Sequence, residues 1–66
     1  MKNRIKVARA EQGMTQQQLA DAAGVSRQTI NAIESGKFVP STVLALKMAH
    51  IFGKPVEEIF QLDDED

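Results

Sequence analysis

Four glycines divide the sequence into short segments, and their spacing limits what the chain can fold into. These glycines are Gly13, Gly24, Gly36 and Gly53. Glycine often follows a helix because it adopts the left-handed conformation that closes the last turn. Thr15, Ser26 and Ser41 each precede a helix-like stretch, and such residues cap helix N-termini. The sequence therefore predicts five helices, at residues 4–12, 16–23, 27–35, 42–52 and 55–61.

Apolar residues recur at helical intervals within these segments. The fourth segment carries such a stripe at Leu44, Ala45, Met48, Ala49 and Phe52. This period is typical of amphipathic helices and not of strands, so the predicted fold class is an all-α bundle with short connections. The chain ends leave an alternative open. Residues 1–3 and 61–63 either stay unpaired or form a short two-stranded ribbon that joins the termini.

Length and composition exclude several classes of protein. With 66 residues and no cysteine, the chain forms one domain with a thin core and no disulfide framework. His50 is the only histidine, and a zinc site needs three or four ligands. The sequence contains no recognisable nucleophile–base pair of the kind that would indicate an enzyme. We expect a cytoplasmic protein with no cofactor, metal, membrane or small-molecule partner.

Charge is distributed unevenly along the chain. The net charge is −1, but four of the nine acidic side chains lie in residues 63–66. Residues 1–62 therefore carry five acidic and eight basic side chains, a net charge of +3. We divide the chain into a domain, 1–62, and an acidic tail, 63–66. The tail is expected to be solvated and disordered, or alternatively to compete with a nucleic acid or pair with Lys2 and Arg4.

Residues 15–36 have the pattern of a helix-turn-helix. Ala20 is small at the point where two crossing helices must approach closely. Gly24 ends the first helix before a short turn. Val25 fills the corner of that turn, and Ser26 caps the second helix. The spacing therefore predicts two helices packed at a steep angle.

The second helix of this motif presents polar side chains outward, because Ile30 and Ile33 anchor its inner face. The outward residues are Arg27, Gln28 and Asn31. Arginine pairs with guanine through two hydrogen bonds, and glutamine or asparagine pairs similarly with adenine. A recognition helix contacts bases mainly through its N-terminal residues. The pattern predicts that helix 3 reads bases in the major groove of double-stranded DNA.

Several motifs extend along most of the chain. They are Thr-Gln-x-x-Leu-Ala from Thr15, Gly-Val-Ser-Arg-Gln-Thr-Ile-Asn from Gly24, Ile-Glu-x-Gly from Ile33, and Pro-Ser at Pro40. With these motifs, residues 5–60 resemble the Cro/repressor or Xre (xenobiotic response element) superfamily, in particular its minimal single-domain members. The resemblance implies a five-helix, lambda-repressor-like DNA-binding domain. It also implies regulation of transcription, with repression expected, and no catalytic role.

The resemblance assigns roles to individual residues. The base-contacting residues are Arg27, Gln28 and Asn31, and the DNA-backbone-contacting residues are Gln16, Gln17, Thr29 and Lys37. Gln16 also matches a family residue that braces the recognition helix. Arg9 and Glu34 match a partly buried ion pair that ties helix 1 to helix 3.

A twofold homodimer is expected, because one recognition helix makes few base contacts. Two copies on a palindromic operator double those contacts, with half-sites about 34 Å apart. The expected interface, in an arrangement common among homo-oligomers, comprises Val56, Ile59, Phe60 and Leu46. The alternative function is an antitoxin-like protein-interaction module that also binds DNA. Its apolar surface around helices 4 and 5 would then bind a different protein.

Overall fold

Five helices and a two-stranded ribbon make up the structure, a computed structural model that describes residues 1–66. The elements are β1 (Lys2–Asn3), α1 (Ile5–Glu11), α2 (Gln16–Ala23), α3 (Arg27–Glu34), α4 (Thr42–Phe52), α5 (Val56–Ile59) and β2 (Phe60–Gln61). The predicted five-helix fold is confirmed, and of the two alternatives left open for the chain ends, the structure has the ribbon. None of the helices combines the length and the apolar character that crossing a membrane requires.

The predicted N-caps define where α2, α3 and α4 begin. The Thr15 hydroxyl accepts a hydrogen bond from the Gln18 N–H, and the Gln18 side chain accepts one from the Thr15 N–H. The hydroxyls of Ser26 and Ser41 each accept from the N–H three residues later. These bonds satisfy donors that the first turn of a helix leaves unpaired.

The core lies where the inner faces of the helices meet. Its largest fully buried side chains are Ile5, Leu19, Ile30, Ile33, Met48 and Ile59. The stripe predicted on α4 is buried except for Ala45, which is half-buried. Val43 and Leu46, which lie off that stripe, are exposed. The hydrophobic period of α4 therefore predicted its inner face correctly.

The C-terminal part of the chain differs from the prediction. Pro55 occupies the N-cap of α5 instead of its first helical position, and the helix ends at Ile59. Phe60 is extended, with φ −124° and ψ 131°, because it pairs with Asn3 in the antiparallel ribbon. The C-terminal strand thus begins one residue earlier than the predicted segment 61–63, and the predicted helix 55–61 is too long.

The acidic tail folds back onto the start of the chain. The Met1 ammonium lies 2.9 Å from an Asp63 carboxylate oxygen and 3.2 Å from one of Asp66. These hydrogen bonds, that to Asp63 first, raise the pKa of the Met1 amino group. A hydrogen bond from the Asp63 backbone, followed by that from Met1, lowers the pKa of Asp66. Lys2 is 4.0 Å from Asp63, whereas Arg4 forms no ion pair. The tail is therefore paired and not free.

Candidate nucleic-acid interface

The turn between α2 and α3 consists of Gly24, Val25 and Ser26. Gly24 has φ +74° and ψ +31°, in the left-handed region that favours glycine. The Val25 N–H donates to the Ala20 carbonyl at 3.0 Å, and the Val25 side chain packs against the core. Ala20 is fully buried in α2, which packs against α3. These contacts fix the direction in which α3 leaves the turn.

The outer face of α3 carries the three residues predicted to contact bases. Arg27, Gln28 and Asn31 are exposed, whereas Ile30 and Ile33 are buried on the opposite face. None of the intramolecular side-chain hydrogen bonds involves Arg27 or Gln28. Their polar groups are therefore available to a ligand, on a helix that the core holds in place.

A hydrogen-bonded row of four side chains runs under this face from α1 to α3. Arg9 donates through Nε and Nη2 to the two Glu34 oxygens, at 2.6 and 3.0 Å. Gln16 Nε2 lies 3.4 Å from Glu34 Oε1 and 3.2 Å from Asn31 Oδ1. We call Arg9, Glu34, Gln16 and Asn31 the polar row. It connects a partly buried ion pair to the exposed face of α3.

The predicted Arg9–Glu34 ion pair is present and largely shielded from solvent. The side chains of Arg9 and Glu34 are 13% and 8% exposed. The hydrogen bonds to Glu34 raise the pKa of Arg9 because they favour its charged form, and burial only partly opposes them. Arg9 Nη1 also donates to the Met14 carbonyl at 2.8 Å. The guanidinium therefore ties α1 both to α3 and to the segment that precedes α2.

The residues predicted to contact the DNA backbone lie around the ends of α2 and α3. Gln17 Nε2 donates to Asp21 on the exposed side of α2, at 2.8 Å. The Thr29 hydroxyl is 3.0 Å from that of Ser26. Lys37 follows α3, is exposed and forms no ion pair. Among these side chains, only that of Lys37 has no partner within the chain. Phosphate contact by each of these residues stays a prediction.

The residues predicted to form a dimer interface occupy two different environments. Ile59 is 0% exposed, so the prediction that it contacts a partner is wrong. It is buried because α5 packs against α4 and continues directly into the ribbon. Phe60 is only 9% exposed and also belongs to the core. Leu46, 54% exposed, and the half-buried Val56 line a shallow groove of about 290 Å³ together with Val39 and the edge of Phe60. We call this the α4–α5 groove.

One connection at the site was missed from the sequence, and another was expected without its partner. Asn3 Nδ2 donates to the Ile33 carbonyl at 2.8 Å, which attaches β1 to the end of α3. Gln16 contacts the recognition helix, as the resemblance implies, but the sequence did not identify Asn31 as the residue that it bonds. Helical periodicity places residues on a face, but it does not say which side chains meet where two helices cross. An asparagine beside the first predicted helix is the only available signal for the Asn3 contact.

Comparison with known proteins is consistent across sequence and structure. A helix-turn-helix family model matches residues 5–59. The chain is 52% identical over 66 residues to an HTH-type transcriptional regulator of Methanocaldococcus jannaschii, with all of both chains covered. It is 46% identical over 65 residues to the HTH-type transcriptional regulator YgzD of Bacillus subtilis, with 98% of each covered.

Two solved structures have the same fold. The restriction-modification controller protein C.AhdI from Aeromonas hydrophila aligns with a TM-score of 0.78 and 28% identity, over 85% of each chain. The clp gene regulator ClgR from Corynebacterium glutamicum aligns with a TM-score of 0.77 and 30% identity, over 82% of this chain and 57% of that one. The fold is therefore shared with a restriction-modification controller protein and a clp gene regulator.

Proposed function

The chain belongs to the Xre-type family of helix-turn-helix transcriptional regulators, and we propose that it binds a specific double-stranded DNA sequence through α3. The observation that carries this proposal is the outer face of α3. Arg27 and Gln28 lie in the first turn, exposed and without intramolecular hydrogen bonds. An α-helix fits the major groove, where arginine and glutamine distinguish bases by paired hydrogen bonds.

In this proposal the DNA backbone is held at both ends of the helix-turn-helix. Gln16 and Gln17 begin α2, and their backbone N–H groups donate to no group within the chain. Such donors at a helix N-terminus suit a phosphate. We assign the Gln16 phosphate contact to its backbone, because its side-chain NH₂ already faces Glu34 and Asn31. Lys37 supplies a positive charge after α3.

Two copies are proposed to bind a palindromic operator as a homodimer. The α4–α5 groove supports this proposal, because it exposes apolar side chains that lie outside the chain's own core. Leu46 and Val56 are among the residues that line it. In a dimer that binds a palindrome, the two recognition helices are expected to occupy half-sites about 34 Å apart. A protein bound to its operator blocks other proteins from that DNA, so we propose that this chain represses transcription. We also propose that it acts in the cytoplasm.

Selection of bound sequences from a random pool of double-stranded DNA tests the function. We expect a palindrome whose half-sites are separated by one turn of DNA. Gln28→Ala should weaken binding to the selected operator by about 5- to 150-fold, equivalent to about 1–3 kcal/mol. Its binding to random DNA should change little.

Lys37→Ala is the matched comparison for Gln28→Ala. This variant should weaken binding to the operator and to random DNA about equally, and lower the slope of log affinity against log salt by about one. Titrations of both DNAs at several salt concentrations measure these effects. Equal losses on both DNAs for both variants would contradict sequence-specific reading by α3.

A further inference from the structure

A second apolar groove lies beside the α4–α5 groove, between α4 and the last turn of α2, and has a volume of about 490 Å³. We call it the α2–α4 groove. Its lining residues are Ala22, Val43, Leu46, Lys47, His50 and Ile51. Four of them recur along α4 at positions i, i+3, i+4 and i+7, so they share one face of that helix. The two grooves have only Leu46 in common. Neither the core nor the proposed homodimer therefore accounts for the α2–α4 groove.

The α2–α4 groove is apolar with a basic edge. Val43 is exposed and Ile51 is half-buried, so both present apolar surface to the groove. Lys47 and His50 are exposed, and neither forms an ion pair within the chain. No acidic side chain lines the groove. A segment that fits this groove therefore brings an apolar side chain together with a negative charge.

The segment that follows β2 carries this combination on the surface of the same chain. Leu62 is 73% exposed, more than any other large apolar side chain. Asp64 and Glu65 come after it, exposed and without an ion pair. We call Leu62, Asp64 and Glu65 the tail knob. The chain thus has an acidic and apolar element and a basic and apolar groove, and neither has a partner within the chain.

The tail knob is held in shape by the residues around its members. The Asp63 N–H donates to an Asp66 carboxylate oxygen at 2.7 Å, and the Asp66 N–H donates to the Asp63 carbonyl at 3.0 Å. The Met1 ammonium contacts both of these carboxylates. The turn is therefore closed by Asp63 and Asp66, while the side chains of the tail knob stay free. A segment that is already ordered loses less conformational freedom when it binds.

We propose that the tail knob of one copy docks in the α2–α4 groove of another copy. Leu62 packs against Val43, and the acidic side chains of the tail knob lie beside Lys47. This contact goes beyond the proposed function, because it requires neither DNA nor the homodimer. None of its residues is among those predicted to contact bases or the DNA backbone. Docked copies therefore keep α3 available.

The contact is heterologous, because the tail knob and the α2–α4 groove are different parts of the surface. Heterologous contacts join copies head to tail, in a ring or an open row. A copy that places its tail knob in one neighbour still offers its own groove to the next. The proposed homodimer is instead a closed, twofold contact. The two contacts are therefore distinguishable by how association continues with concentration.

The expected contact is weak. It places one leucine side chain and its neighbours in a shallow groove, so the interface belongs to the small, transient class. Exposed ion pairs add little to it, and association costs translational and rotational freedom. We therefore expect association to develop between micromolar and millimolar concentrations, beyond the range in which the homodimer forms.

Sedimentation velocity of the whole chain without DNA, from micromolar to millimolar concentration, tests the contact. The average mass of the wild type should rise beyond that of a dimer, and less so at high salt, which screens the ion pairs. Leu62→Asp and Val43→Asp should each weaken this association about tenfold or more, because each removes a buried apolar side chain from the contact. Val7→Asp is the matched control, since Val7 is exposed and apolar but lines neither groove. It should leave the association unchanged.

A mixture of Leu62→Asp and Val43→Asp tests the head-to-tail geometry. The first variant keeps an intact α2–α4 groove, and the second keeps an intact tail knob. The mixture should therefore recover association that each variant lacks alone. A symmetric contact, in which the same residues meet across a twofold axis, would not be recovered. Circular dichroism of each variant confirms that it is folded.

A charge exchange tests the basic edge of the groove. Glu65→Lys should weaken the association by about two- to fivefold, as expected for an exposed ion pair. Addition of Lys47→Glu to the same chain returns opposite charges to the two surfaces, so this double variant should associate more strongly than Glu65→Lys alone. Equal association of the single and double variants would contradict the pairing of these charges.

The remaining outcomes separate this proposal from the homodimer. A wild type that stays dimeric up to millimolar concentration would overturn docking of the tail knob and leave the homodimer intact. Loss of association in Val43→Asp but not in Leu62→Asp would overturn it as well, because a different segment would then occupy the groove. No recovery in the mixture would exclude the heterologous contact. A wild type that is monomeric at micromolar concentration but associates through Leu62 would contradict the homodimer and support docking of the tail knob.

Discussion

The ion pair of Arg9 and Glu34 contributes both to the stability of the fold and to the arrangement of the candidate interface. Their ion pair is partly buried, and Glu34 also receives the Gln16 amide. A pair in such surroundings gains little net free energy, because desolvation offsets the attraction between its charges. Removal of one partner is costly, since the other charge stays buried alone. The pair therefore matters most when it is broken.

Arg9→Met should destabilise the protein by about 2–4 kcal/mol, somewhat less than the loss of a partner in a fully buried pair. Methionine keeps much of the side-chain volume but leaves Glu34 without a counter-charge. Unfolding in urea, followed by circular dichroism, measures the change in the free energy of unfolding.

Lys54→Met is the control for this change. Lys54 pairs with Glu11 at 3.4 Å on the surface, and exposed pairs contribute about 0–1 kcal/mol. Lys54→Met should therefore lower the free energy of unfolding much less than Arg9→Met does. Similar destabilisation by the two variants would mean that burial of the Arg9–Glu34 pair has no energetic consequence.

At the scale of elements, the turn of the helix-turn-helix depends on Gly24. A Cβ added to Gly24 would meet no atom within 4 Å, so steric contact adds no cost. The cost of Gly24→Ala comes from the left-handed backbone, at about 1–2 kcal/mol. For a chain of this size, each kcal/mol of lost stability lowers the melting temperature by roughly 4–8 °C.

Gly24→Asn separates backbone strain from packing. Asparagine tolerates the left-handed conformation better than alanine, because its short polar side chain bonds locally. The melting temperature of Gly24→Asn should therefore lie between those of the wild type and Gly24→Ala. If Gly24→Asn were the less stable variant, the larger side chain would be meeting an obstacle, and backbone conformation would not explain the loss.

Elements with local signals could be predicted, and those with distant partners could not. The helices α2, α3 and α4 have a serine or threonine cap before them and a clear apolar period within them. Phe60 continues the apolar period of helix 5, but it becomes a strand because Asn3, at the other end of the chain, pairs with it. The local sequence holds no information about that register.

The same distinction applies to the site. Arg27, Gln28 and Asn31 were placed correctly on an exposed face, because that placement needs only the helical period. The hydrogen bond from Gln16 to Asn31 depends on how α2 and α3 cross. Crossing geometry results from packing across the whole core, and no single segment of sequence encodes it.

At the scale of the whole molecule, the α4–α5 groove is the surface through which we expect two copies to associate. Leu46→Asp should weaken dimerisation tenfold or more, equivalent to at least about 1.4 kcal/mol, because it places a charge in an apolar contact. Leu46 is exposed in the single chain, so the fold should be unaffected. Sedimentation equilibrium over a range of concentrations gives the dissociation constant.

Val43→Asp provides the comparison on the same helix. Val43 is also an exposed apolar residue of α4, but it lies outside the α4–α5 groove. Its substitution should leave the dimer intact. A wild-type protein that remains monomeric at micromolar concentration would contradict the homodimer, and dissociation caused equally by both variants would place the interface elsewhere on α4.

The polar row has a consequence for how such regulators diverge. Two duplicated copies with identical residues on the outer face of α3 can hold Asn31 differently through a change at position 16 or 34, neither of which lies on that face. Such a change alters the hydrogen-bond pattern of Asn31 without replacing it. Two such copies would look identical on the outer face of α3 and still differ in how firmly its polar side chains are held, because part of that support comes from the first residue of α2.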